Sequence, residues 1–492
     1  MIHKLRCRIA MLPLIMAMVV GTSAQAELPA NISARLKAAG VDDAAMSLVV
    51  EPLGKGELRI RHRDSALMVP ASTQKLVTTF AALDTLGADY RWQTRVYQHG
   101  AVMGGTLYGD LIIVGAGDPA LTYDALTSLF EKIKQRGIKH IHGNIIIDNL
   151  AFKGASFDTA SFDRQALRAY NAQPNALLVN FGTIEVSVTP KSNTQASITV
   201  KPSLANFTAP EQMPMVSATC TKANSPNFDL TTQALSVRGV MSNQCAASQF
   251  WLAFADTNAL AVKAVQGEWQ IIDPTFTGQV IIAQQAWDIK AQGGAHLPIV
   301  TWYSKSLKSL IADINLYSNN VMTEQMALSL PLTQGAKQSD YPQAFAFLTS
   351  WWKSKLSTTP PEMTRASGLC RDCKVSASSM VSLLIFAYHS PNFEPFLASL
   401  PVVGQTGTMA EFAKRQPQSL AIGRAWMKTG TLDGVHTIAG FAKDANDEWY
   451  AVSAMINAPS SQMTYDVILA LDEVLNGIAN YPNQSTTHKE SP

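Results

Sequence analysis

Lys428-Thr429-Gly430-Thr431 is the stretch on which the reading of this chain turns. It sits at the end of Gly423–Thr431, the first of three consecutive strand-like runs, followed by Val435–Lys443 and Trp449–Asn457. A strand is thereby given a cation and small residues where a substrate backbone can lie. Two further elements stand upstream. Ser72-Thr73-Gln74-Lys75 opens a predicted helix from Ser72 to Leu86, led in by Pro70-Ala71 and closed by Gly87. Ser318-Asn319-Asn320 falls in the middle of a long predicted helical stretch from Tyr303 to Leu330.

Ser-x-x-Lys, Ser-x-Asn and Lys-Thr-Gly in that order are the parts of an active-site serine acyltransferase. Ser72 and Lys75 share one helix face, because side chains three apart are neighbours. A serine hydroxyl needs an adjacent base to attack a carbonyl. Lys75 can be that base if burial or a neighbouring cation, Lys428, lowers its affinity for a proton. The pattern assigns Ser318 to relaying a proton to the leaving amine and Asn320 to holding the substrate amide. Thr429, Gly430 and Thr431 would bind a terminal carboxylate beside Lys428, and the N–H groups of Ser72 and Thr431 would form an oxyanion hole. Tyr317-Ser318-Asn319 also spells Tyr-x-Asn, a variant of the middle motif, so the identity of the motif amide stays open between Asn319 and Asn320.

The chain carries decoys. Ser350-Trp351-Trp352-Lys353 is a second Ser-x-x-Lys, but it follows the Ser-x-Asn triplet and is crowded by tryptophans. Ser225-Pro226-Asn227 and Ser390-Pro391-Asn392 read as proline turns. Gln405-Thr406-Gly407-Thr408 lacks the cation. His140 and His142 alternate on a strand-like run and read as surface residues. No Gly-x-Ser-x-Gly elbow is present, which argues against a Ser-His-Asp hydrolase.

The 492 residues, 47% hydrophobic and 15% charged, can bury a large core in about three domains at ~150 residues each. Residues 1–26 read as an export signal: Lys4, Arg6 and Arg8, then the apolar run Ile9–Val20, then Ala24-Gln25-Ala26. Removing it takes three of the 39 basic residues, leaving 36 against 37 acidic ones. That balance offers nothing to nucleic acid. No later run is long enough to span a bilayer; peripheral association with a membrane is left open, as is oligomeric state. Four cysteines remain after cleavage, and sequence proximity in an oxidising compartment pairs Cys220 with Cys245 and Cys370 with Cys373. No second Cys/His pair stands near Cys370-x-x-Cys373, so no metal is expected, and no cofactor. The stretch Lys191–Gln284 is poor in helix formers and reads as a separate β-rich unit. The last residues, 482–492, read as a disordered tail.

Together these motifs resemble the penicillin-binding proteins, and more narrowly the class C low-molecular-mass D-alanyl-D-alanine carboxypeptidase/endopeptidases. The resemblance covers nearly the whole mature chain. It includes Gly115-Ala116-Gly117-Asp118-Pro119, Gly143–Asp148, Tyr170–Leu177, Ser367-Gly368-Leu369 and Leu400–Gly404, together with the long insertion between the first two motifs. It implies an α/β penicillin-recognising domain, 27–97 and 291–481, split by two nested, mainly β inserts, 98–184 with 265–290 and, inside that, 185–264. It implies a periplasmic enzyme acting on peptidoglycan stem peptides through an acyl-serine and blocked by β-lactam antibiotics. By position, Asp148, Phe152 and Arg371 match the residues that hold a zwitterionic diaminopimelate end. The family's Asp-Gly-Ser-Gly stands here as Arg365-Ala366-Ser367-Gly368, and Cys370 and Cys373 flank Arg371. A secreted β-lactamase or esterase of the same fold, or a non-catalytic peptidoglycan-binding or β-lactam-sensing protein, are the alternative readings.

Overall fold

The three runs after residue 422 become strands Ala425–Leu432, Val435–Lys443 and Trp449–Asn457 of an antiparallel sheet that continues into Met46–Pro52 and Ile60–His62. This computed structural model describes residues 27–221, 224–287 and 297–481. The expected export signal and terminal tail lie outside the described residues. The strands are apolar on both faces, and both faces are covered. One packs on the first helix, Ala30–Ala38, and the last, Tyr465–Ala479, through Ile32, Leu36, Val467 and Leu475. The other packs on a helical layer through Leu76, Phe80, Ile311, Met326 and Trp352. Residues from both ends of the chain thus build one domain, with a long excursion between them.

Among the described residues that excursion holds two larger sheets and the two-stranded pair Asn227–Leu230 with Leu235–Arg238. Gln93–Met103, Thr106–Val114, Ile145–Asp148, Val280–Ile282 and Val300–Tyr303 belong to one. Thr183–Pro190, Gln195–Lys201, Gln212–Val216, Met241–Ser242 and Ser248–Ala253 form the other. The expected boundary near 97 falls inside the strand Gln93–Met103, whose partner Val300–Tyr303 lies beyond the expected boundary near 290. The N–H of Ser304 donates to the carbonyl of Trp92, closing that excursion at its neck. The boundary near 265 falls inside a helix, Thr257–Ile272, whose Leu260 packs with one sheet and Trp269 with the other. Reading Lys191–Gln284 as poor in helix missed this helix. Its signal was local: Asp256 accepts from the N–H groups of Asn258 and Ala259. The alternation read before it likewise concealed Tyr123–Gln135, capped by Thr122 and amphipathic through Leu126, Leu129, Phe130 and Ile133.

Cys220–Cys245 and Cys370–Cys373 are both joined as disulfides. Of the decoys, Ser350 lies in the helix Tyr341–Lys355, whose Trp351 and Trp352 are buried.

Candidate active site

Ser72 stands on a single turn of 3-10 helix, Ala71–Gln74, which passes into the α-helix Lys75–Leu86. Ala71 enters it at φ +47°, a left-handed conformation uncommon outside glycine. The turn is held by the carbonyl of Pro70, which accepts from the hydroxyls of Thr73 (2.7 Å) and Thr437 (2.8 Å). The nucleophile turn is thereby tied to the central sheet.

The expected helix from Tyr303 to Leu330 is instead a strand and two helices, Leu307–Tyr317 and Asn320–Thr333, broken at Ser318. Ser318 is left-handed (φ +56°), and Asn319 caps the second helix by accepting from the N–H of Met322 at 3.0 Å. Composition did not reveal the break, because its cause is one asparagine competing for the helix start. The break carries Ser318 Oγ to Lys428 Nζ, at 3.0 Å. It also separates the two candidate amides: Asn319 caps its own helix, whereas Asn320 Oδ1 accepts from Lys75 Nζ at 2.6 Å.

Lys75 is fully buried and makes three bonds, to Ser72 Oγ (2.9 Å), Asn320 Oδ1 and the carbonyl of Ser367 (2.7 Å). Burial, and then the neighbouring charge of Lys428, push its pKa well below the usual lysine range, while Glu324 pulls the other way. Lys428 is also fully buried, and burial lowers its pKa to about 7. Its ammonium donates to Ser318 Oγ and to the carbonyl of Thr429 at 2.8 Å. Asn320 Nδ2 donates to the carbonyl of Tyr170 (2.9 Å), which fixes the amide's orientation.

The strand Ala425–Leu432 lies close against the nucleophile turn. A methyl group on Gly430 would come within 2.8 Å of the Ser72 nitrogen and 2.9 Å of the Pro70 carbonyl oxygen. Ser72, Ser318, Thr429, Gly430 and Thr431 line one cleft of about 360 Å³, together with Thr408 and His436. Thr429 Oγ1 donates to Thr408 Oγ1 at 2.8 Å, so the cationless Gln405–Thr408 stretch is the cleft's opposite lip.

Sequence reading missed Glu324, Ser367 and Thr408. Glu324 follows Asn320 by one helical turn, which was a usable signal. Its carboxylate accepts from the N–H groups of Ala366 (3.1 Å) and Ser367 (2.9 Å), and so holds the loop whose carbonyl meets Lys75.

The three residues expected at a substrate side chain make different contacts. Arg371 lines a second cavity with Phe157, Asp158, Phe162 and Cys370, and its guanidinium donates to the carbonyl of Asp433 at 2.9 Å. Asp148 and Phe152 are not among that cavity's walls. Asp148 is buried, with its carboxylate accepting from the N–H groups of Trp287 (2.7 Å) and Leu150 (3.2 Å). Phe152 packs over Gly117. Asp148 thus ties the end of its strand to the distant Trp287 as well as to the turn that follows. The sulfurs of Cys370 and Cys373 are bonded to each other, which withdraws both as metal ligands.

Comparisons with known proteins show the family and the fold of the chain. Residues 28–477 match the D-Ala-D-Ala carboxypeptidase 3 (S13) family, and the chain belongs to that family of serine peptidases. It is 25% identical over 432 residues to the D-alanyl-D-alanine carboxypeptidase DacB of Haemophilus influenzae, covering 85% of this chain and 86% of that one. It is 26% identical over 438 residues to a D-alanyl-D-alanine carboxypeptidase of Actinomadura sp. strain R39, covering 86% and 79%. The crystal structure of penicillin binding protein 4 from H. influenzae superposes with a TM-score of 0.69 at 22% identity, over 90% of this chain and 99% of that one. The complex of that protein with a β-lactam superposes with a TM-score of 0.65 at 20% identity, over 87% and 96%. The fold is the α/β fold of penicillin-recognising peptidases.

Proposed function

We propose that the chain is a periplasmic peptidase of peptidoglycan that removes a terminal D-alanine, or cuts the D-Ala–meso-diaminopimelate cross-link, through an acyl-enzyme on Ser72. The observation that carries the assignment is the buried Lys75 ammonium site, 2.9 Å from Ser72 Oγ and depressed in pKa by burial and by Lys428. Neutral Lys75 takes the Ser72 proton as Oγ attacks the penultimate D-alanine carbonyl. The oxyanion that forms accepts from the N–H groups of Ser72 and Thr431. Ser318 relays that proton from Lys75 to the departing amine, with Lys428 beside it, and Lys75 is left neutral again. Lys428, Thr429 and Thr431 hold the substrate carboxylate. Water then attacks the ester, with Lys75 again accepting the proton, and Ser72 is regenerated. β-Lactams acylate the same oxygen but deacylate slowly. The domain division and the export signal described above belong to this reading.

Intact-mass and peptide-mapping measurements after exposure to penicillin test it. One adduct on Ser72, absent from Ser72→Ala, is expected. An adduct on Ser350, or none on the folded wild type, removes the assignment.

A further inference from the structure

Tyr170, Trp251 and Tyr317 come from three separate segments: the turn Ala169–Asn171, the strand Ser248–Ala253 in the innermost insert, and the end of the helix Leu307–Tyr317. Their side chains are left open to solvent, with residue exposures of 40%, 39% and 73%. Yet they meet around one cavity of about 470 Å³. Phe181, left-handed at φ +59°, adds a fourth ring, 6.3 Å from that of Trp251. Ser318 and Asn320 form part of its wall, and Ser318 is the residue it shares with the main cleft. Tyr170 is held in place, because its hydroxyl donates to Asp163 at 2.6 Å. No lining side chain is charged. Exposed aromatic rings converging beside a reactive centre mark a binding surface.

We propose that this cavity takes the sugar portion of the substrate, an N-acetylated hexosamine ring of the glycan strand to which the stem peptide is attached. This rests on the peptidoglycan reading above. The chemistry of the substrate narrows the occupant. The charged end of the stem peptide carries a carboxylate beside its ammonium, and although aromatic faces attract an ammonium, a carboxylate set against them has no partner. A hexosamine is neutral. Its C–H faces lie flat on aromatic rings, while its hydroxyl and acetamide groups stay solvated at the open side of the cavity, beside the exposed Tyr317. The shared wall at Ser318 lets one ligand occupy both the cavity and the main cleft, with the stem peptide running between the sugar and the scissile bond.

The test compares two substrates of identical peptide, a disaccharide pentapeptide and the sugar-free pentapeptide. Wild type should favour the disaccharide form in kcat/KM. Trp251→Ala and Tyr317→Ala should each lower kcat/KM on the disaccharide form by about tenfold, through KM, and leave the sugar-free peptide within about twofold. Trp251→Phe should recover most of the loss. Penicillin acylation of each variant reports an intact fold. An equal loss on both substrates, or no loss on either, overturns the subsite and leaves the peptidase reading standing. Failure of wild type to cleave either peptide while penicillin acylates Ser72 removes the peptidase reading and the subsite with it.

Discussion

Two fully buried lysines in one site set its chemistry. Each is easier to bury neutral than charged, and their charges oppose one another. The site works in the window where Lys75 is neutral and Lys428 is charged. As pH falls, Lys75 takes up a proton and the base is lost; as pH rises through about 7, Lys428 loses its charge and the carboxylate anchor weakens. kcat/KM, which reports the free enzyme, should therefore be bell-shaped, with its alkaline limb near neutrality. Lys428→Arg should move that limb upward by more than one pH unit, because a guanidinium stays charged. An unchanged alkaline limb assigns it to another group. Lys428→Met should remove the alkaline limb and shift the acid limb upward, since Lys75 then loses the neighbouring charge that depresses it. Both lysines are legible in the sequence because motif spacing names them. The three-way grip on Lys75 is less so: the Ser367 carbonyl is a backbone group that any residue could supply, and only folding brings it there.

Elements position these residues through breaks and close approaches. The left-handed Ser318 and the Asn319 cap divide a helix that apolar periodicity joins, because Leu307, Leu310, Ile311, Ile314, Met322 and Met326 face one core across the break. Periodicity reports which face is buried and is blind to a one-residue interruption. Gly430 shows the converse, a small residue whose need is set entirely by a neighbouring element. In Gly430→Ala the new methyl group meets the Ser72 nitrogen, the Pro70 carbonyl oxygen and Thr437 Oγ1, all inside 3 Å. The strand and the nucleophile turn must separate, and a misplacement of ~1 Å costs about 100-fold in a positioned reaction. Acylation by penicillin should fall by about that factor, while overpacking lowers stability by about 1–3 kcal/mol. Stopped-flow acylation beside thermal unfolding distinguishes this from global damage. A variant that acylates at the wild-type rate would show that the strand is free to yield.

At the scale of the molecule, one domain does the chemistry and the excursion between its halves adds surfaces. The terminal sheet and its two covering helices follow from continuous apolar strand runs and helical apolar spacing near the ends of the described chain. The excursion was legible as a long β-rich interval, but its edges were not, because they are set by pairings such as Gln93–Met103 with Val300–Tyr303. The two disulfides sit on opposite sides of this division and should behave differently. Cys220–Cys245 closes a loop of sequence separation 25 in the innermost insert. Such a crosslink stabilises by about 3 kcal/mol through the unfolded chain. Its double serine variant should loosen that unit, seen as faster proteolysis there, with penicillin acylation within about twofold of wild type. Cys370–Cys373 has a sequence separation of only 3 and restrains little of the unfolded chain. It instead closes the loop that carries Ser367 on Lys75 and Arg371 in the adjoining cavity, with Thr364 Oγ1 bonded to Asp372 at 2.7 Å across its base. Cys370→Ser with Cys373→Ser should leave the unfolding temperature nearly unchanged and slow acylation by about three- to tenfold, as one hydrogen bond of about 1 kcal/mol to the base becomes intermittent. The acid limb of the pH profile should shift with it, because that carbonyl accepts a proton-bearing bond from Lys75. Slower acylation with an unmoved acid limb would mean that the bridge supports the cleft by packing alone.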